Sequence, residues 1–291
     1  MNTDNRAHET SPAVRAWRMV RLGLHLAEGV ATTALVFPFV EQAARVQLKV
    51  RWCRNGLRIL GIRLRIIGQP PRVDGPLMLV ANHVSWLDIF LINTAWHARF
   101  VAKSEIRKWP VVGWLSARSG TLFIERERRR DTARINDVVA AALLAGDRVV
   151  VFAEGTTTDG TEVLPFHASL LQPIVASGGT AAPVAMRYLY PDGSRSEHAT
   201  YTGTRSLLES MRLLASQRET IAELAFCEPV PTAGLHRRDL AEQTATLIAA
   251  ALSLPAPGTR RKKASGPPAA PPSAPDPTDI PYPEPEAATR T

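Results

Sequence analysis

The sequence predicts an α/β fold: a mixed sheet flanked by helices, with a membrane-docking helical segment at the N-terminus. Three observations carry this. Short apolar runs such as "LMLVA" (77–81) and "RVVVFAE" (148–154) alternate with longer stretches of helical composition, the pattern of sheet and helix layers. The first is apolar without a break and the second is a β-branched run of strand length, as buried strands are. Arg15, Arg18 and Arg21 precede an apolar stretch at 22–40, which suits a helix seated in or on a membrane.

The elements follow in order. Residues 1–11 read as a flexible N-terminus and 12–49 as a membrane-associated helix or helical hairpin. His25, Glu28 and Pro38 interrupt the apolar stretch, and a spanning helix needs about 20 predominantly apolar residues. The mixed basic and apolar run at 46–66 has helix-like spacing and suits a surface lying on anionic headgroups; packing against the domain is the other reading. An α/β domain at 50–254 follows. Strands are expected at 77–81, 99–103, 120–125, 148–154, 182–190 and 220–230, and helices at 85–96, 131–147, 167–179, 206–217 and 236–252. Residues 255–291 hold eleven of the 23 prolines and almost no large apolar side chains, so they read as a disordered tail.

Net charge is +8 and the pI about 10.1, which asks for an anionic partner. The cations sit beside apolar stretches rather than stacking aromatics, which argues against nucleic acid. The cysteines, Cys53 and Cys227, make no disulfide framework or metal pattern, and the seven histidines show no ligand spacing. No cofactor is implied.

The chemistry is expected around "NHVSWLD" (82–88). Five positions on one helix would turn His83 and Asp88 about 140° apart. They meet only if His83 precedes the helix and Asp88 lies in its first turn. Ser85 is a good N-cap and "SWLD" has capping-box spacing, so Asp88 either serves His83 or merely favours the helix dipole. In the first case the imidazole takes a hydroxyl proton and the carboxylate fixes its tautomer. With no G-x-S-x-G elbow and no histidine beside either cysteine, the hydroxyl would be the substrate's own, attacking a reactive acyl donor such as a thioester. Arg126 in "GTLFIERERRR" could bind phosphate. Glu154 and Gly155 in "VVVFAEGTTTDG" follow a buried strand, where such folds bind ligands.

"NHVSWLD", "GTLFIER", "FAEGTTTDG" and "APVAMRY", in that order, resemble the four blocks of the glycerolipid acyltransferase family. The resemblance implies an O-acyltransferase with His83 as general base and Asp88 as its partner. Arg126, Glu154, Gly155 and Thr156 would help bind the acceptor. It also implies acyl carrier protein or acyl-coenzyme A as donor, a lysolipid acceptor, an N-terminal two-helix docking element, and a seat on the cytoplasmic face of a bacterial inner membrane. Phosphatidic acid formed from 1-acyl-sn-glycerol-3-phosphate is the leading expectation and a lyso-ornithine lipid the alternative acceptor. Two departures bear on this. Ala153 stands where the block commonly has proline, which would loosen the turn. Thr157 stands where phosphatidate-forming relatives carry a basic residue, removing one phosphate ligand. A thioesterase that activates water with His83 is the rival enzyme.

Overall fold

The computed structural model describes residues 8–124, 129–203 and 205–257. Arg126 and the proline-rich tail beyond Pro257 lie outside the described residues.

The N-terminal segment is a helical hairpin. Helix α1 (Pro12–Leu35) starts on proline, whose fixed φ suits a first helical position, and Ser11 caps it by accepting the Val14 N–H at 3.4 Å. A 3₁₀ turn at Phe37–Phe39 reverses the chain into α2 (Gln42–Ile59). The helices touch through polar and small residues. His25 Nε2 lies 3.0 Å from the Trp52 carbonyl, the Trp52 indole donates to the His25 carbonyl at 2.9 Å, and the rings stack 4.7 Å apart. Gly29 permits this, since a Cβ there would stand 2.7 Å from Trp52 Nε1. Met19 and Leu22 pack against the domain core, but much of the apolar surface of α1 faces outward: Val14, Trp17, Val20, Leu24 and Leu35 are exposed, while His25, Gly29 and Thr33 are buried. That is unlike a helix packed wholly on a soluble core.

Helix α2 ends before Gly61, whose φ of 73° a side chain would resist, and the chain enters β1 (Ile62–Ile67). The helix-like spacing of 46–66 therefore covers two elements, and its last five residues belong to an edge strand. Then follow β2 (Leu77–Ala81), α3 (Asp88–Ala95), β3 (Arg99–Lys103), α4 (Val112–Arg118), β4 (Leu122–Ile124), α5 (Arg129–Leu144), β5 (Val149–Phe152), α6 (Gln172–Ala176), β6 (Thr180–Leu189), α7 (Leu207–Ser216), β7 (Thr220–Phe226), β8 (Val230–Pro231) and α8 (Arg237–Ala251). Helix α4 and strands β1 and β8 were not anticipated. The expected strand at 220–230 is two strands. Pro173 falls in the first turn of α6, so it starts a shorter helix rather than interrupting a longer one.

The strands make one eight-stranded sheet in the order β1-β7-β6-β2-β5-β3-β4, with β8 beside β6. It is mixed, as expected: β6 runs antiparallel to β7 and β8, and the remaining pairs are parallel. The unbroken apolarity of "LMLVA" has a direct cause. Leu77, Leu79 and Ala81 join a core with Leu57, Leu91, Met186 and Leu214 on one face. Met78 and Val80 join Leu143, Val151, Leu171 and Ile248 on the other. Each such side chain stabilises the fold by about 1.5–3 kcal/mol through burial. Strands β2, β5, β3 and β4 all point their carboxyl ends to the same edge of the sheet.

Candidate active site

At that edge β2 stops and His83 begins the connection to α3. The stop is built by Asn82, whose side-chain amide continues the ladder that its backbone leaves. Nδ2 donates to the Met186 carbonyl at 3.0 Å and Oδ1 accepts the Met186 N–H at 2.8 Å. The turn that follows carries His83 back towards Asp88, the first residue of α3.

The two side chains converge. His83 Nδ1 lies 2.7 Å from Asp88 Oδ2. The same oxygen accepts the Val84 and Ser85 N–H groups at 2.8 and 3.0 Å, and Oδ1 accepts the Tyr188 hydroxyl at 2.6 Å. Asp88 is wholly buried, so these four donors are what makes its carboxylate tenable there. No side chain caps α3. Ser85 stands in the turn before it and supplies a backbone N–H, so only the carboxylate half of the expected capping box is formed. Burial and the Asp88 carboxylate raise the Tyr188 phenol well above its ordinary pKa, so it remains a donor.

The His83 ring stacks on Phe152 at 3.9 Å, 10° from parallel, and its side chain is 20% exposed. With Nδ1 turned to the carboxylate, Nε2 takes no hydrogen bond among the described residues. An imidazole held in this way can accept a proton from a hydroxyl that approaches Nε2.

Glu154 leaves the adjacent parallel strand β5. Its Oε1 accepts the His83 N–H at 3.1 Å, while Oε2 has no partner among the described residues. Burial pushes this carboxyl up to about 8, against the lowering effect of the His83 N–H, so at neutral pH it mostly carries a proton. Gly155 follows with φ 71°, a conformation that favours glycine, and its N–H closes a turn on the Phe152 carbonyl at 3.1 Å. Thr156 is exposed.

The departures at 153 and 157 have structural consequences. Ala153 donates its N–H to the Ala81 carbonyl at 3.2 Å, a bond proline cannot make. The substitution therefore extends the β2–β5 pairing by one residue, and the expectation of a loosened turn is corrected. Thr157 gives its hydroxyl to the Tyr201 carbonyl, and Tyr201 N–H donates to Val84 O at 2.9 Å. Thr158 N–H donates to His83 O at 2.8 Å. The connection between β6 and α7 is thereby fastened over both loops. Of the expected residues, His83, Asp88, Glu154 and Gly155 meet here, and Arg126 lies outside the described residues. Asn82, Tyr188 and Tyr201 were missed as site-builders. Asn82 and Tyr188 stand inside quoted blocks, but nothing local tells which partner they reach 104 and 100 positions away. An arginine-rich groove of about 730 Å³ lies elsewhere, along β1 and α2, and its lining includes none of the site residues.

Comparisons with known proteins show the family and the fold. A family model described as Acyltransferase matches residues 63–187. A lyso-ornithine lipid O-acyltransferase of Pseudomonas aeruginosa is 34% identical, over 87% of this chain and 96% of its own. A 1-acyl-sn-glycerol-3-phosphate acyltransferase of Neisseria meningitidis is 36% identical, over 58% of this chain and 66% of its own. Among solved structures, the 1-acyl-sn-glycerophosphate acyltransferase of Thermotoga maritima superposes with a TM-score of 0.59 at 20% identity, over 82% of this chain and 96% of that one, which speaks for the fold. The chain belongs to the glycerolipid acyltransferase family.

Proposed function

We propose that this acyltransferase moves a fatty acyl group from a thioester, on acyl carrier protein or coenzyme A, to the free hydroxyl of a lyso-ornithine lipid. The observation that carries the chemistry is the His83–Asp88 pair with Nε2 left open. His83 Nε2 takes the hydroxyl proton as the oxygen bonds to the thioester carbonyl carbon. Asp88 holds the imidazolium that results. The C–S bond then breaks, and the proton passes from Nε2 to the departing thiolate. Glu154 keeps Oε1 on the His83 backbone N–H and so holds the turn that carries the imidazole.

Two things favour the ornithine acceptor, reversing the order suggested by sequence alone. The similarity to the Pseudomonas aeruginosa protein runs nearly end to end in both chains. Thr157, in place of a basic residue, spends its hydroxyl on Tyr201. Lysophosphatidic acid is the second reading, favoured by the Neisseria meningitidis relative. The outward apolar face of α1, a helix that with its turn (Pro12–Phe39) is long and apolar enough to cross a membrane, supports a seat on the inner membrane, facing the cytoplasm. The test is a transfer assay pairing each lysolipid with each thioester. Acylation of lyso-ornithine lipid at least tenfold faster than of lysophosphatidic acid is expected, a difference of about 1.4 kcal/mol in barrier. The opposite preference returns the phosphate acceptor, and thioester hydrolysis without transfer returns the thioesterase.

A further inference from the structure

A second exposed apolar surface lies in the segment that follows β3. The chain leaves β3 at the sheet edge that carries His83, and passes through a 3₁₀ turn at Ser104–Lys108 into "WPVVGW" (109–114). Trp109, Val111 and Trp114 are 45, 42 and 37% exposed. Large apolar groups concentrated in one short loop are unlike the scattered exposed leucines of an ordinary surface. Cations surround them: Arg107, Lys108 and Arg118 are exposed, and the Arg118 guanidinium lies 5.9 Å over the Trp114 ring.

The loop is rigid. Val111 has φ 61° and ψ −59°, and the Val112 N–H bonds back to the Pro110 carbonyl at 2.6 Å. This is the rare, strained form of γ-turn, here centred on a β-branched residue. Gly113 leaves no room for a side chain, since a Cβ would stand 2.4 Å from the Arg107 carbonyl. Such strain persists only where surrounding structure over-determines it, and it concentrates at functional segments.

We infer that residues 107–118 form a wedge that inserts Trp109 and Val111 into the headgroup layer of an anionic bilayer, seating the active-site edge against the membrane that holds its lipid acceptor. Tryptophan is enriched at membrane–water interfaces, and nearby Lys or Arg adds about 1 kcal/mol each on an anionic leaflet. A second copy of the chain fits less well, because a symmetric pairing would set this basic rim against itself. The neighbouring element points the same way: α4 packs against α1, whose apolar face is outward.

The inference concerns lipid contact and not turnover, so it is tested apart from the proposed reaction. In a Cys227→Ser background, an environment-sensitive fluorophore is placed at Pro110→Cys, with Leu24→Cys on α1 and Glu242→Cys on α8 as references. The full-length protein is mixed with vesicles of phosphatidylglycerol and phosphatidylcholine carrying brominated chains. Quenching at 110 and not at 242 is expected, whatever happens at 24. A probe at 110 that stays in water like that at 242 overturns the inference. The pair Trp109→Glu and Trp114→Glu together should slow transfer to vesicle-borne acceptor about tenfold. Transfer to a short-chain monomeric acceptor should stay within about twofold, which also shows that the variant folds. Equal rates on vesicles would contradict the wedge.

Discussion

Asp88 Oδ2 is held by three N–H donors and Oδ1 by one phenol, which fixes the carboxylate in place before any substrate arrives. Asp88→Asn keeps the shape but brings an amide that cannot compensate an imidazolium. Transfer should fall by up to about 10⁴-fold while vesicle binding is unchanged; equal losses in both would show that Asp88 only caps α3. Tyr188→Phe removes the only donor to Oδ1 among the described residues and should cost about 1–3 kcal/mol of stability, read by denaturant unfolding. Glu154 makes the pH dependence. Its folded pKa, about 8, lies above the ordinary 4.5 because the site is buried, so the folded state binds the proton more tightly. The contribution is intact below about 4.5 and is lost as pH rises towards about 8. Glu154→Gln, which supplies one acceptor and one donor, should flatten that slope in thermal unfolding and retain more transfer at neutral pH than Glu154→Ala. The reverse order of activities would mean that no neutral hydrogen-bonding group is needed at this position.

At the level of elements, what the sequence disclosed follows from what each signal depends on. β2 falls at the residues expected, because a strand covered on both faces writes its burial directly as an apolar run; β3 also falls where expected, although only Phe100 of it is buried. β1 escaped notice because it is an edge strand whose arginines face outward or pair with Glu219 and Glu223, so its composition continues that of α2. Helix α4, seven residues long, is too short for periodicity to declare it. The convergence of His83 and Asp88 was legible as a spacing. The ladder mimicry of Asn82 and the fastening of Thr157 to Tyr201 were not, since both depend on long-range partners. The hairpin supplies its own test. Gly29→Val would drive a branched side chain into Trp52, part α1 from α2 and weaken vesicle association, measured by co-sedimentation. Unaltered association would show that the helices bind lipid without packing on one another.

Taken whole, the molecule places a rigid mixed sheet beneath a reactive edge and surrounds it with apolar and cationic surface. The two cores on either face of β2 and β5 hold His83 and Glu154 on adjacent parallel strands. His83 is therefore positioned by the most deeply buried part of the fold, and function-changing loops can vary around it. The most direct check is the rate at which purified protein transfers a labelled acyl group from thioester to lyso-ornithine lipid, measured for the unaltered chain and for His83→Ala. A fall of about 10²–10⁴-fold, with unfolding behaviour and vesicle binding retained, is the expected result. Near-normal transfer by the variant would contradict the account.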